Sequence, residues 1–217
     1  DSVPGHEKLP FSLKVLLDYR HPVTIVTKGS LILRDLDLLA ELAQQRLVAV
    51  MISLTTLDDE LKRIMEPRAA APAARLRAIR VLRDNRIPVG VLCSPMIPMI
   101  NDMELEHLLT AAKEAGAQTA NYMLLRLPRE VAPLFEEWLQ AHYPQRAEHV
   151  LSLIRQSRGG ALYDSRFGQR FRGEGAFAEL LAQRFALASK RLGLNRREAF
   201  NLDCSRFCPP GGQLALL

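Results

Sequence analysis

The chain has 217 residues, 48% hydrophobic and 24% charged, with a net charge of +5. This suits one good-sized soluble domain or part of a larger one. No apolar run reaches the length of a membrane helix, no secretory signal opens the chain, and three cysteines make no disulfide framework, so a reducing cytoplasm is the expected compartment.

The first apolar run is VTIVT (23–27), which ends on Thr27 and Lys28 and is followed by Gly29, Ser30 and a helical pattern opened by Asp35. In LRDLDLLAELAQQR, Leu36, Leu39 and Leu42 face one way. VAVMISLT (48–55) is the second run, and two helical patterns follow it, LDDELKRIMEP and PAARLRAIRVLRDNR. PVGVLCS (88–94) is the third, then the loop SPMIPMIND and the helical NDMELEHLLTAAKEAGA. TANYMLLRL (119–127) is the fourth. Asp35 and Asn101 stand where N-caps belong, and Gly116 where a C-cap belongs.

Alternating strands and helices predict βαβ units and a parallel sheet. The first three runs are rich in Val and Ile with little alternation, as in strands buried on both faces. Four units are too few to close a barrel, so an open sheet or the later strands of a barrel is expected. The expected fold is thus α/β, an incomplete parallel (β/α) barrel over residues 1–130. A helical C-terminal extension (131–200) and an irregular tail (201–217) follow. The chain begins at Asp1 rather than Met, as a processed or partial chain would.

Ligands of such folds bind at the carboxyl ends of the strands. Lys28, Ser53, Thr55, Thr56, Ser94, Tyr122 and Arg126 stand there in sequence. The Lys28 ammonium suits a carboxylate or phosphate. A Schiff-base role would need desolvation and a nearby acid, and no Asp or Glu ends a neighbouring strand. The loop after strand three reads as a stiff connector or as an apolar wall for a flat ligand.

Metal chemistry is sparse: the five histidines are scattered, and Cys204-x-x-x-Cys208 is followed by Gly211 where a cluster loop would place a third cysteine. Residues 151–217 hold 11 Lys+Arg against 5 Asp+Glu, so the positive charge is C-terminal. RFGQRFRG sets Phe167 and Phe171 among Arg166, Arg170 and Arg172, a pattern suited to nucleic acid or to packing a terminal helix.

From Leu13 on, these segments resemble the radical S-adenosylmethionine (SAM) proteins, in the branch similar to spore photoproduct lyase and called DNA repair photolyase-like. Its most specific pieces are the Thr27-Lys28 strand end, SLTTLDDEL with EPR (66–68), and VGVLCSPMIP. The resemblance implies a partial barrel that binds SAM on a 4Fe–4S cluster, where reductive cleavage yields a 5′-deoxyadenosyl radical. By it, Lys28, Ser53 and Thr55 lie on the SAM side, and Arg68 holds the SAM carboxylate or locks the loop. A plain ion pair between Arg68 and Glu66 is equally open. Pro95, Met96 and Ile97 would line the adenosine, with Tyr122 and Arg126 toward the substrate. The family's CxxxCxxC segment is absent, and Cys93, Cys204 and Cys208 do not fall at its positions. A missing N-terminal segment would supply the cluster, and this chain alone is not expected to assemble it. A cluster-free nucleic-acid-binding protein and a lysine-dependent lyase remain the alternatives.

Overall fold

The computed structural model describes residues 8–163, 169–196 and 200–207. Helix α1 (Lys8–Asp18) leads into β1 (Val23–Thr27), and a 3-10 turn, Ser30–Asp35, runs into α2 (Leu36–Gln44). Next come β2 (Val48–Ser53), α3 (Asp59–Met65), α4 (Pro72–Asp84), β3 (Val89–Met96), α5 (Leu105–Ala115) and β4 (Thr119–Leu124). The C-terminal third holds α6 (Val131–His142), α7 (Ala147–Gln156), the short α8 (Gln169–Arg172) and α9 (Gly175–Leu192). Among the described residues no helix is long and apolar enough to cross a membrane.

Local chemistry sets several boundaries. The Asp58 carboxylate accepts from the backbone N–H groups of Glu60 and Leu61 at 2.7 and 3.2 Å, which starts α3. Pro72 opens α4, where its missing N–H costs nothing. Gly116, at φ +114°, ends α5 in a conformation that a side chain disfavours. Asp35 and Asn101 occupy N-cap positions without a capping bond from their side chains. Asn101 is used elsewhere: its carboxamide accepts from the Ile97 N–H at 2.6 Å and donates to the carbonyls of Thr55 and Pro95 at 2.8 and 2.9 Å. It therefore staples the turn after β3 to the end of β2.

All four strands are parallel, in the order β1-β2-β3-β4, as one open sheet of the partial-barrel kind. Register divides their side chains between two faces. One face, with Val50, Ile52, Val91, Cys93 and Tyr122, shares a core with Leu39, Leu42, Ile79, Leu82, Leu108 and Leu181 from the helices. The other face carries Thr24 and Val26 beside Ala49 and Met51, then Gly90 and Leu92, then Thr119 and Asn121. None of these residues joins the helix-side core. Thr24, Val26 and Asn121 are exposed there, with Val26 57% accessible. The expectation that the first strand is buried on both faces is corrected: β1 alternates, because the helices cover only one side of it.

The last helix returns to this core. α9 packs on α5 and β4, and Arg184 fixes it to α5 through Glu106 at 2.6 and 2.8 Å and the Asp102 carbonyl at 2.9 Å. Just beyond it, the Asn195 side chain accepts from the Ala120 N–H at 2.8 Å, capping part of the β4 edge. α6 and α7 instead close a second core, with Ile97, Leu127, Leu139 and Ile154 at its centre. Trp138 ties that core to α3 by donating to the Ile64 carbonyl at 3.1 Å.

Candidate functional site

The carboxyl ends of β1, β2 and β3 meet in one polar network. Lys28, just past β1, donates to Glu66 Oε1, and the Thr55 hydroxyl lies 3.2 Å from the same oxygen. Arg75 donates to Glu66 Oε2 at 2.6 Å, to the Ser53 carbonyl at 2.9 Å and to the Ala70 carbonyl at 2.8 Å. The Ser53 and Thr55 hydroxyls each reach the Ser94 carbonyl, at 3.2 and 3.0 Å. Arg75 is 2% and Glu66 9% exposed, while Lys28 is 45% exposed. A buried arginine thus anchors the carboxylate, and the carboxylate holds a lysine at the rim. Burial raises the Glu66 pKa, but the bonds and charges of Lys28 and Arg75 outweigh it, so its carboxyl lies below the usual range.

Glu66 was not visible as a partner of Lys28 in the strand ends, because it comes from the link between α3 and α4. That link brings an acid to the lysine, against the expectation that none stands beside it. Schiff-base chemistry gains nothing, since a half-exposed ammonium bonded to a carboxylate is not the desolvated amine such chemistry needs. Arg68 is exposed, and the two cations on Glu66 are Lys28 and Arg75. Arg75 was missed although its signal is present. It occupies the buried stripe of α4 with Pro72, Ala78, Ile79 and Leu82, where a guanidinium requires a partner.

Beyond β3, Met96 is enclosed in the helix-side core. Pro95 and Ile97 line an apolar cavity of about 220 Å³ closed by Met65, Leu125, Phe135 and Trp138. Tyr122 turns to the helix side and lies against Phe185 of α9, ring centroids 4.9 Å apart, so it is not on the uncovered face. The Arg126 guanidinium lies over the rings of Tyr163 and Phe171 at 5.5 and 5.1 Å and donates to the Tyr163 hydroxyl at 3.1 Å. It clamps α8 to the end of β4. Arg158, also missed, is buried and donates to the carbonyls of Leu124 and Leu125 at 3.1 and 2.9 Å.

Cys93 is buried in the covered core, and burial pushes its thiol up to about 12. Cys204 is exposed, and Cys208 lies outside the described residues. No group of three metal-binding side chains occurs among the described residues. These thiols do not fit an iron–sulfur cluster, which needs several converging thiolates. Arg172 is exposed, while Arg166 and the Arg170 side chain lie outside the described residues.

Relatives carry the same pattern without a described role. An uncharacterized protein of Mycobacterium tuberculosis is 34% identical over 182 residues, which is 82% of this chain and 50% of the relative. Another, of Methanocaldococcus jannaschii, is 27% identical over 144 residues, 66% of this chain and 52% of its own length. A third, of Acidianus two-tailed virus, is 39% identical over 74 residues, 34% of this chain and 24% of the relative. The chain thus spans about half the length of the first two. The family model for the radical SAM superfamily matches residues 4–112, from α1 through most of α5 and including all of the Lys28–Glu66–Arg75 network. This chain belongs to the radical SAM superfamily, whose chemistry rests on SAM and an iron–sulfur cluster.

Proposed function

We propose that residues 8–127 form the SAM- and substrate-facing wall of a radical SAM enzyme. The observation that carries this reading is Lys28, held at the strand ends by Glu66 beside a sheet face that no helix of this chain covers. When bound in such enzymes, the cluster supplies the electron that cleaves SAM. The residues of this chain bind and orient. Lys28 keeps two further N–H donors for the carboxylate of the SAM amino-acid end. Glu66 and Arg75 are positioning residues for that ammonium. Ser53 and Thr55 act from inside the wall, fixing the end of β2 against β3. Pro95 and Ile97 offer apolar surface for the adenosine, backed by Met96, and Arg126 orders the segment toward the substrate. Arg68, exposed on the same loop, is the second cation available to a carboxylate.

The branch resembling spore photoproduct lyase, and a nucleic-acid substrate, rest on the sequence resemblance and on the positive C-terminal third. A nucleic-acid substrate implies affinity that falls steeply with salt. A shallow dependence, or no binding, removes it.

Lys28→Ala tests the SAM reading in a protein that also carries the cluster segment. SAM affinity by calorimetry should fall roughly ten-fold or more, as expected for one charge-assisted bond. Circular dichroism and melting confirm that the fold persists. Unchanged affinity in a folded variant rejects the assignment. With a carbonyl substrate, borohydride should trap no adduct at Lys28.

A further inference from the structure

On the helix-covered side of the sheet, between β4 and α9, lies a cavity of about 450 Å³. Its volume is within the roughly 300–1,000 Å³ that small-molecule sites span. Tyr122 and Phe185 form an aromatic wall, tilted by 48° to one another. Tyr122 is 4% exposed and Ser189 5% exposed, and both hydroxyls are buried without a hydrogen-bond partner. Buried hydroxyls are almost always bonded, because leaving one unmade forfeits its hydration for nothing. Two of them lining one cavity is not a packing accident of a single side chain.

The rest of the lining has one sign. Arg172 and Lys190 stand exposed at its margin, and Asn195 contributes a carboxamide whose oxygen is already taken by the Ala120 N–H, leaving its NH₂ to donate. No Asp or Glu lines the cavity. Burial raises the Tyr122 pKa against the opposing charge of Arg172, so the hydroxyl stays protonated and can donate. Hydroxyl, amide, ammonium and guanidinium donors therefore converge beside an aromatic wall.

We infer that the cavity between β4 and α9 is a binding site for a small aromatic anion. The ring would lie against Tyr122 and Phe185, and the anionic group would take the Tyr122 and Ser189 hydroxyls with Lys190 and Arg172. This site is separate from the proposed SAM wall, since Tyr122 points to the opposite face of the sheet from Val26 and Asn121. It needs neither SAM nor a cluster to bind.

The test is a titration of the full-length protein, labelled with fluorotyrosine, with phenyl phosphate and separately with benzoate. The Tyr122 resonance is assigned by its loss in Tyr122→Phe. It should shift saturably with at least one probe, and the stronger of the two tells whether the head group is phosphate or carboxylate. Lys190→Gln should weaken that binding roughly ten-fold or more, and Ser189→Ala by roughly three- to ten-fold. Inorganic phosphate alone should bind far more weakly than phenyl phosphate, because it leaves the aromatic wall unused. Absence of a saturable shift with both probes overturns the inference. So does binding that Lys190→Gln and Ser189→Ala leave unchanged. A rise in melting temperature in the Tyr122→Phe, Ser189→Ala double variant, with no probe bound to the parent, would identify the cavity as a packing gap.

Discussion

On one face of the sheet Val50, Ile52 and Val91 are sealed beneath α2, α4 and α5. On the other, Thr24, Val26 and Asn121 of the same sheet stand open. The covered face follows the rule of any α/β core, with large aliphatic side chains closed off from water. The open face keeps apolar groups, Val26 and the half-buried Met51 and Leu92, which contribute little to the folding of this chain. Between them, at the strand ends, the Lys28–Glu66–Arg75 chain passes from interior to rim. The difference teaches that stability and binding are divided by face, and that one buried ion pair joins them.

The largest effect should come from the covered face. Ile52→Ala removes a fully enclosed side chain from the centre of the sheet and should cost about 4 kcal/mol, within the range of such truncations. Urea unfolding measures it. A loss under about 1 kcal/mol would mean that the helix layer is not the source of stability, and the division between faces fails.

Glu66→Gln comes next. It leaves Arg75, 2% exposed, with a neutral partner, and breaking a buried pair in this way costs about 3 kcal/mol. The same substitution frees Lys28, so SAM affinity should fall along with stability. A variant that loses stability but keeps full SAM affinity would show that Glu66 serves the core alone.

The sheet was legible in the sequence and the network was not, for the same physical reason. Strand and helix types follow from periodicity, a local property, and all four strands and the flanking helices formed where the apolar runs lie. The length of β3, which continues through Pro95 and Met96, depends on pairing with β4 and had no local mark. Helix α1 received no assignment from the sequence, and its Leu13 joins the core only through contact with other elements. Lys28 could be singled out because a charge at the end of an apolar strand breaks a local pattern. Its partner comes from residue 66 and the anchor from residue 75, and no spacing rule links those positions. Arg75 did break the pattern of its own helix, and an arginine on a buried stripe was the one sequence signal left unused. Tyr122 was expected toward the substrate because strand alternation gives two faces without saying which one the helices take.

Acid should act on the same pair, more gradually. Glu66 has a folded-state pKa below its ordinary value, so its contribution is complete above the unfolded pKa near 4.5. It is lost as pH falls from there through the folded pKa. Glu106 moves in the same direction: the bond from Arg184 lowers its carboxyl more than burial raises it. Stability should therefore decline as pH is lowered below about 4.5. The decline should be shallower in Glu66→Gln, which has no proton to take up at that site. Parallel curves for the two proteins would place the acid-sensitive groups elsewhere.

The smallest effect is the sharpest test of the open face. Val26→Thr exchanges a methyl for a hydroxyl at nearly constant volume, so it reports on the surroundings of the side chain rather than on size. At a buried site the hydroxyl would lose its water and cost about 1–3 kcal/mol. At a position 57% exposed, stability should change by no more than about 0.5 kcal/mol. SAM affinity in a protein carrying the cluster segment should respond more than stability does if this face receives the cofactor. A stability loss well above 1 kcal/mol in the present chain would mean that its own residues cover Val26. The face would then be a second core, and the reason for placing SAM against it would be gone.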